Sequence, residues 1–301
     1  MELRHLRYFV AVAEEENITR AAAKLSIQQP PLSQQIKALE DELGVCLFSR
    51  VGKRIQLNAA GKLFLSEARE ILTHVDNAIQ KVQRFDLGEE GRMRLGYTSS
   101  AALHDLTPRI IRAFRSAHPL ISLEIEEGAA HDLLCALEEE RIDAAFVRSS
   151  VEKYATLQSM SLDQEEMVVA IPMDHRLAVQ ADEGLSLADL KNERFILYRQ
   201  VNGSGIKEML LTLCKEAGFE PHAVQEVHRM MAAIQLVAAG LGISVVPKSL
   251  DTIQPQSVFY RPFNPADSVT VPLNLVFRRH VDAQAIKRFV SLSSSLAVTL
   301  R

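Results

Sequence analysis

Residues 18–61 constrain the fold of this chain more than any other stretch. Two short helical patterns stand four residues apart, followed by two short apolar runs around a basic turn. Ala21, Ala22 and Leu25 line one face of the first helix, and small side chains there let a second helix cross at close range. Ser26-Ile27-Gln28-Gln29 interrupts the pattern. Pro30 and Pro31 then stand where a new helix begins, a position at which a missing amide costs nothing. Leu32, Ile36, Leu39 and Leu43 recur at spacings of four, three and four, which predicts a buried stripe and leaves Ser33, Gln34, Gln35 and Lys37 in solvent. Residues 47–50 and 54–57 alternate as strands around Val51-Gly52-Lys53, with Arg50, Lys53 and Arg54 at or beside the tip. A bare helical hairpin with a polar surface would explain the first part but not the basic ribbon. Amides and hydroxyls beside a lysine suit base edges and phosphates in a major groove. The segment therefore predicts a winged helix-turn-helix reader of double-stranded DNA. Its candidate contacts are Gln29, Pro30, Pro31, Ser33, Gln34, Lys37, Arg50, Lys53 and Arg54.

The net charge of −4 looks wrong for such a reader until it is divided. Residues 1–62 carry nine Lys/Arg against seven Asp/Glu, and the remainder 25 against 31. A modestly basic end on an acidic body fits one small module touching phosphate, not a chain that wraps nucleic acid along its length. The chain has no apolar run long enough to span a bilayer, and Met-Glu-Leu-Arg-His is no signal peptide, so a cytoplasmic protein with no membrane partner is expected. Cys46, Cys135 and Cys214 are far apart, without CxxC or metal-ligand spacing, so neither a metal nor a cofactor is expected. Cys135 and Cys214 could form a redox-sensing pair; buried thiols on helices are the plainer reading.

From Asn58 a long helix runs to about Phe85. Phe64, Ala68, Ile71, Val75, Ala78, Val82 and Phe85 recur at alternating spacings of four and three, an unbroken heptad seam. A solitary helix of this length beside a small domain has little to pack on except a partner, so a homodimer through this helix is expected. Two paired readers imply a two-fold related DNA site. Gly88-Glu89-Glu90-Gly91 ends the helix and reads as a hinge. The expected division is a reader at 1–58, a dimerisation helix at 59–87, the hinge at 88–91 and an effector-binding domain at 92–301.

Beyond residue 91 strands and helices alternate, which predicts parallel βαβ units. Strands are expected at 92–98, 121–127 and 143–147, with helices at 105–117 and 130–140 between them. A second series has strands at 167–171, 195–198, 223–227 and 243–246, with helices near 204–217 and 230–239. A strand at 269–277 and a helix near 283–296 close the chain. Two α/β lobes follow, one from about 92–162 with 267–301 and the other from about 163–266. A small ligand would fit between them. Free amides where strands meet helices attract anions. The candidates in the first lobe are Ser99, Ser100, Gly128, Ala129 and Arg148. In the second they are Gln200, Val201, Asn202, Gly203 and Ser204. These suit a small carboxylate, although helix capping competes for Ser99 and Ser204, and a salt bridge for Arg148.

Over essentially its full length the chain resembles the LysR-type transcriptional regulators. The resemblance rests on residues 1–10, on Ala21-Ala22 with Lys24-Leu25, and on Gln29-Pro30-Pro31-Leu32-Ser33. It also rests on Leu39-Glu40, Leu43-Gly44, Leu47-Phe48, Arg50 and Ala60-Gly61. Later echoes are Gly96-Tyr97, Pro108, Phe114, His118-Pro119, residues 141–144 and residues 237–243. The resemblance implies a periplasmic-binding-protein-like effector domain and a homotetramer that activates promoters, with RNA polymerase a further candidate partner. The opening decapeptide and the double proline look most like the branch controlling aromatic-acid catabolism. Gln34 stands where many relatives have Arg. Ala129 stands near a ligand-facing Thr of muconate-responsive members, which points to another small aromatic or aliphatic acid.

Two other classes fit less well. A transport or storage binding protein would explain residues 92–301 but has no use for a winged helix. An enzyme would need nucleophile, base and orienting group to converge, yet the nine His are scattered and no Gly-x-Ser-x-Gly or Walker pattern occurs.

Overall fold

Phe9 decides how the amino-terminal part packs. It lies on a helix absent from the elements expected above, α1 (Leu3–Glu15), and it is fully buried. The computed structural model describes residues 1–51, 54–179, 184–198, 206–280 and 283–298, which fall into two compact units, Met1–Arg84 and Phe85–Arg301. In the first unit α1 is followed by α2 (Ile18–Lys24) and α3 (Gln29–Leu43). Asn17 caps α2, its side chain accepting from the Arg20 amide at 3.0 Å. Gly44 ends α3 in the left-handed region at φ 68°. Ala21, Ala22, Leu32, Ile36 and Leu39 join Leu6, Phe9 and Val12 in one core. Leu43 is only half-buried. Gln35 is also half-buried rather than exposed, its Oε1 enclosed without a partner among the described residues. The antiparallel ribbon of β1 (Phe48–Val51) and β2 (Arg54–Leu57) follows.

Helix α4 (Ala59–Asp86) starts at Asn58, whose Oδ1 accepts from the Gly61 amide at 2.8 Å while its Nδ2 donates to the Cys46 carbonyl at 2.7 Å. The seam along α4 is not uniform. Ala68 is buried in the reader's own core and Phe64 packs against Phe9, the ring centroids 5.0 Å apart and the planes tilted by 58°. Farther along, Ile71, Val82 and Phe85 are 37, 69 and 68% exposed. Periodicity had marked the apolar face; the first two positions serve the same chain.

The turn expected as a hinge is a docked one. Gly88 stops α4 at φ 66°, and a Cβ there would lie 2.5 Å from the Ala285 amide nitrogen. Arg288 donates to the Leu87 carbonyl at 3.2 Å and pairs with Glu89 at 3.6 Å. Gly91 already belongs to the next strand.

In the second unit the parallel strands β3 (Gly91–Tyr97), β4 (Ile121–Glu127) and β5 (Ala144–Val147) alternate with α5 (Ser99–Ala102), α6 (Leu106–Ala117) and α7 (Ala130–Glu138). A 16-residue strand, β6 (Leu157–Pro172), then leaves this lobe for the second. There follow α8 (Arg176–Val179), β7 (Arg194–Tyr198), α9 (Ile206–Glu216), β8 (His222–Val227), α10 (Met230–Ala238), β9 (Ser244–Pro247) and β10 (Val258–Pro262). The chain returns along β11 (Thr270–Arg278), antiparallel to β6 throughout, and ends in α11 (Gln284–Val298). Strand order is β10-β6-β11-β5-β3-β4, with β9 also on β6 and with β7 and β8 forming a separate parallel pair. The first half of β6 and all of β10 are additions to the strands expected from sequence. Separate cores fill the two lobes: one around Phe114, Phe146 and Phe289, the other around Phe195, Ile234 and Val246.

Candidate DNA interface and effector site

The small-residue contact of α2 leaves the first turn of α3 outside the core. Gln29, Pro30, Pro31, Gln34 and Lys37 are exposed there and Ser33 is half-buried. No acid lies in the first turn of α3, so nothing there opposes the positive end of the helix dipole, although Pro30 and Pro31 carry no amide N–H. Thr19 donates its hydroxyl to Gln29 Oε1 at 3.3 Å, which leaves the Gln29 amide NH2 to donate outward. Sequence reasoning passed over Thr19, and only its later contact with Gln29 marks it. It also passed over the structural work of Glu40, whose carboxylate accepts from the Leu47 and Phe48 amides at 2.6 and 3.2 Å and fixes the ribbon to α3. Arg50 is exposed on β1. Lys53 and the Arg54 side chain lie outside the described residues.

In the second unit the carboxyl ends of β4, β3 and β5 meet in register. The Thr98 amide donates to Phe146 O at 3.1 Å and the Gly128 amide to Tyr97 O at 3.1 Å. This edge brings Ser99, Ser100, Gly128, Ala129 and Arg148 together, at the kind of strand end where open α/β sheets hold ligands. Thr98, not Ser99, is the helix cap, its hydroxyl accepting from the Ala101 amide. Ser99 is half-buried and its hydroxyl makes no hydrogen bond among the described residues. Ser100 is buried beside Thr98, and its carbonyl accepts from the Arg148 guanidinium at 3.2 Å. Ala129 sits exposed at the head of α7. Gln200, Val201, Asn202, Gly203 and Ser204 lie outside the described residues.

Arg148 takes up the salt bridge that competed with a ligand role. It is 6% exposed and its Nη2 donates to Glu165, a buried carboxylate on β6. Glu165 Oε1 also accepts from the Ser249 amide at 2.6 Å, and Ser249 follows β9 in the second lobe. One carboxylate thus joins both lobes. His104 adds to the group: its Nδ1 accepts from the Leu106 amide at 3.2 Å. Its Nε2 therefore donates, to Asp163 at 3.1 Å, and lies 3.8 Å from Glu165. Burial lowers the Arg148 pKa from its ordinary value, while Glu165 opposes that fall. Two polar atoms flanking this carboxylate, Arg148 Nη1 and Ser249 Oγ, are buried and have no hydrogen-bond partner among the described residues. Glu165, Ser249, His104 and Asp163 were not among the residues singled out from sequence, where nothing distinguishes them from ordinary surface polar residues.

Comparison with known proteins matches residues 3–62 to the bacterial regulatory helix-turn-helix protein, lysR family, and residues 87–295 to the LysR substrate binding domain. The chain belongs to the LysR family of transcriptional regulators. BenM of Acinetobacter baylyi is 38% identical over 278 residues, 92% of this chain and 90% of that protein. YnfL of Escherichia coli, an uncharacterized HTH-type transcriptional regulator, is 36% identical over 96% of each chain. Full-length CbnR complexed with its target DNA superposes with a TM-score of 0.85 at 28% identity, covering 99% of this chain and 100% of that one. As a LysR-type regulator the chain binds DNA and carries an effector-binding domain, and its homologues are not enzymes. No helix among the described residues is long and apolar enough to cross a membrane.

Proposed function

We propose that this LysR-type regulator responds to a small carboxylic acid, aromatic or aliphatic, held between the lobes beside Arg148. The observation that carries this reading is a pair of buried donors with no partner among the described residues, Arg148 Nη1 and Ser249 Oγ, on either side of one buried carboxylate. An incoming carboxylate would satisfy both and draw the guanidinium from Glu165, so the ligand has a different affinity for the two lobe arrangements. Only such a difference can shift an equilibrium between them. Ser99 supplies a hydroxyl with no hydrogen bond among the described residues on the same edge, with Gly128 and Ala129 beside it. The opening decapeptide and the double proline, which resemble the aromatic-acid branch of the family, favour catabolism of aromatic acids as the controlled process.

Thermal denaturation against a panel of aromatic and dicarboxylic acids, each beside its amide, tests the reading. A saturating ligand at 100 times its Kd stabilises the native state by about 2.7 kcal/mol. An acid should raise Tm while its amide does not, and Ser99→Ala should reduce the rise while leaving DNA affinity unchanged. A full response in Ser99→Ala to every stabilising acid would move the site elsewhere.

The reader is proposed to contact DNA through Gln29, Pro30, Pro31, Ser33, Gln34 and Lys37, with Arg50, Lys53 and Arg54 on phosphate or the minor groove. Gln34→Ala should cost about 1–3 kcal/mol on operator DNA and little on random DNA, because an amide reads bases and carries no charge. Gel shifts on both duplexes measure this; equal losses would remove Gln34 from the base-reading set.

The exposed half of the α4 seam supports a homodimer, and two such dimers a tetramer, joining readers on a two-fold site. Ile71→Asp places an uncompensated charge in that seam and should give monomers or insoluble protein. A soluble Ile71→Asp protein that sediments in the same oligomeric state as the parent would rule this use of the helix out.

A further inference from the structure

Thr19, on the first turn of α2, reaches across the helix-turn-helix to the side chain that opens α3. Its hydroxyl donates to Gln29 Oε1 at 3.3 Å, and both residues are exposed. The platform under this contact is fixed. Asn17 caps α2 and Arg20 pairs with Glu15 at 3.4 Å, which holds the first turn. Ser26 turns the chain at φ 57°, its amide donating to Ala23 O at 3.1 Å and the Ile27 amide to Ala22 O at 3.0 Å. Ala21 and Ala22 pack with Leu32 and Ile36 in the reader's core, so the separation of Thr19 from Gln29 does not drift while that core holds. Little else restrains the glutamine. Pro30 and Pro31 follow it, and neither has an N–H from which Oε1 could accept. Among the described residues its side chain has no hydrogen-bond partner but Thr19.

We propose that Thr19 is a positioning residue for base reading, acting through Gln29. This deepens the reading of Gln29 as a DNA contact and rests on it. A glutamine amide left to itself can present either its oxygen or its NH2 to the groove, and its rotatable bonds must all be fixed when it binds. With the oxygen tied to Thr19 the amide does not turn over. The NH2 leads outward, and a lone pair of Oε1 remains beside it. A donor next to an acceptor in one plane matches adenine, whose N7 accepts and whose N6 amino group donates in the major groove. The reversed amide, with its oxygen leading to accept from the cytosine amino group, is the arrangement that Thr19 opposes. At 3.3 Å the bond is of modest strength, so it biases the amide rather than locking it. Thr19 need not touch the duplex to do this.

Selection of binding sites by the full-length protein from a pool of random duplexes, repeated with each variant at one salt concentration, tests the assignment. Gln29→Ala identifies the base position that Gln29 reads, which should favour adenine in the parent. Thr19→Val keeps the branched shape and removes the hydroxyl. It should lower the adenine preference at that position by about three- to tenfold, the effect of having to order one long side chain anew. Thr19→Ser should keep the parent preference. In gel shifts on the selected duplex, Thr19→Val should weaken binding by the parent and add nothing to Gln29→Ala, with random DNA bound as before. Thr19→Ala repeats each comparison, so the answer does not depend on one variant folding. A loss that persists in the Gln29→Ala background, or that falls equally on random DNA, makes Thr19 a direct DNA contact and overturns the proposal. Parent-like preference in Thr19→Val overturns it as well, while Gln29 stays a base reader; so does a cytosine preference at the Gln29 position. If Gln29→Ala loses preference at no position, the base-reading role of Gln29 falls and this proposal with it.

Discussion

Arg148→Met is expected to destabilise the second unit by about 3–5 kcal/mol, because it leaves the Glu165 carboxylate buried without its cation. Both partners are enclosed, with side chains 4 and 8% exposed, so solvent cannot take the place of the missing guanidinium. His104 stands 3.8 Å away but donates to Asp163, and the Ser249 amide is a single neutral donor. The double variant Arg148→Met with Glu165→Leu should recover most of the loss, since an apolar pair of similar volume avoids the cost of burying charge. The chain has no Trp, so urea denaturation followed by circular dichroism is the direct measurement. A single-variant loss below about 1 kcal/mol would be that of an exposed pair and would contradict the burial of the network.

Gly61→Ala should be as damaging to the reader. A Cβ on Gly61 would lie 2.1 Å from the Leu47 carbonyl oxygen and 2.8 Å from Leu57 Cδ2. The leucine side chain can turn aside, but the carbonyl is backbone and already accepts from the Asn58 amide at 3.0 Å. Either the first turn of α4 or the ribbon must move, at a cost of about 3 kcal/mol. Because Glu40 ties the same ribbon to α3, operator affinity should fall by about tenfold or more as the ribbon shifts. Thermal denaturation and gel shifts check the two effects together. Parent-like values in both would mean that the strand yields freely at this point.

Much of this architecture is legible in the chain itself, and the exceptions have physical causes. The pattern from Ala21 to Leu39 marks helices and their buried faces because each face repeats within a few residues. The first half of β6 is less readable: Leu157–Pro172 contains Asp163-Gln164-Glu165-Glu166, poor strand formers held extended by β11. In α1, apolar residues 8–13 run together and obscure the helical period. The seam on α4 was visible as an apolar stripe, but spacing cannot tell that Phe64 and Ala68 pack at home while Val82 stays open. The interlobe network is the hardest case. Arg148 was singled out, yet Glu165, Ser249 and His104 become its neighbours only when β6 crosses between lobes. Residues 200–204 and Lys53 lie outside the described residues, so their parts in the two interfaces stand as proposals.

The strand order has a consequence for synthesis on the ribosome. β11 lies between β5 and β6 in the sheet, yet residues 148–269 must be made after β5 and before it. At about 5–20 residues per second, the nascent first lobe therefore spends roughly 6–24 s with its sheet lacking a central strand. All four residues of β5 are buried in the finished fold, so the waiting edge is apolar and unpaired. A chain halted near residue 268 should bind trigger-type holdases and aggregate when released, whereas one halted after residue 298 should not. The return strand, made only after the whole second lobe, decides when the first lobe closes.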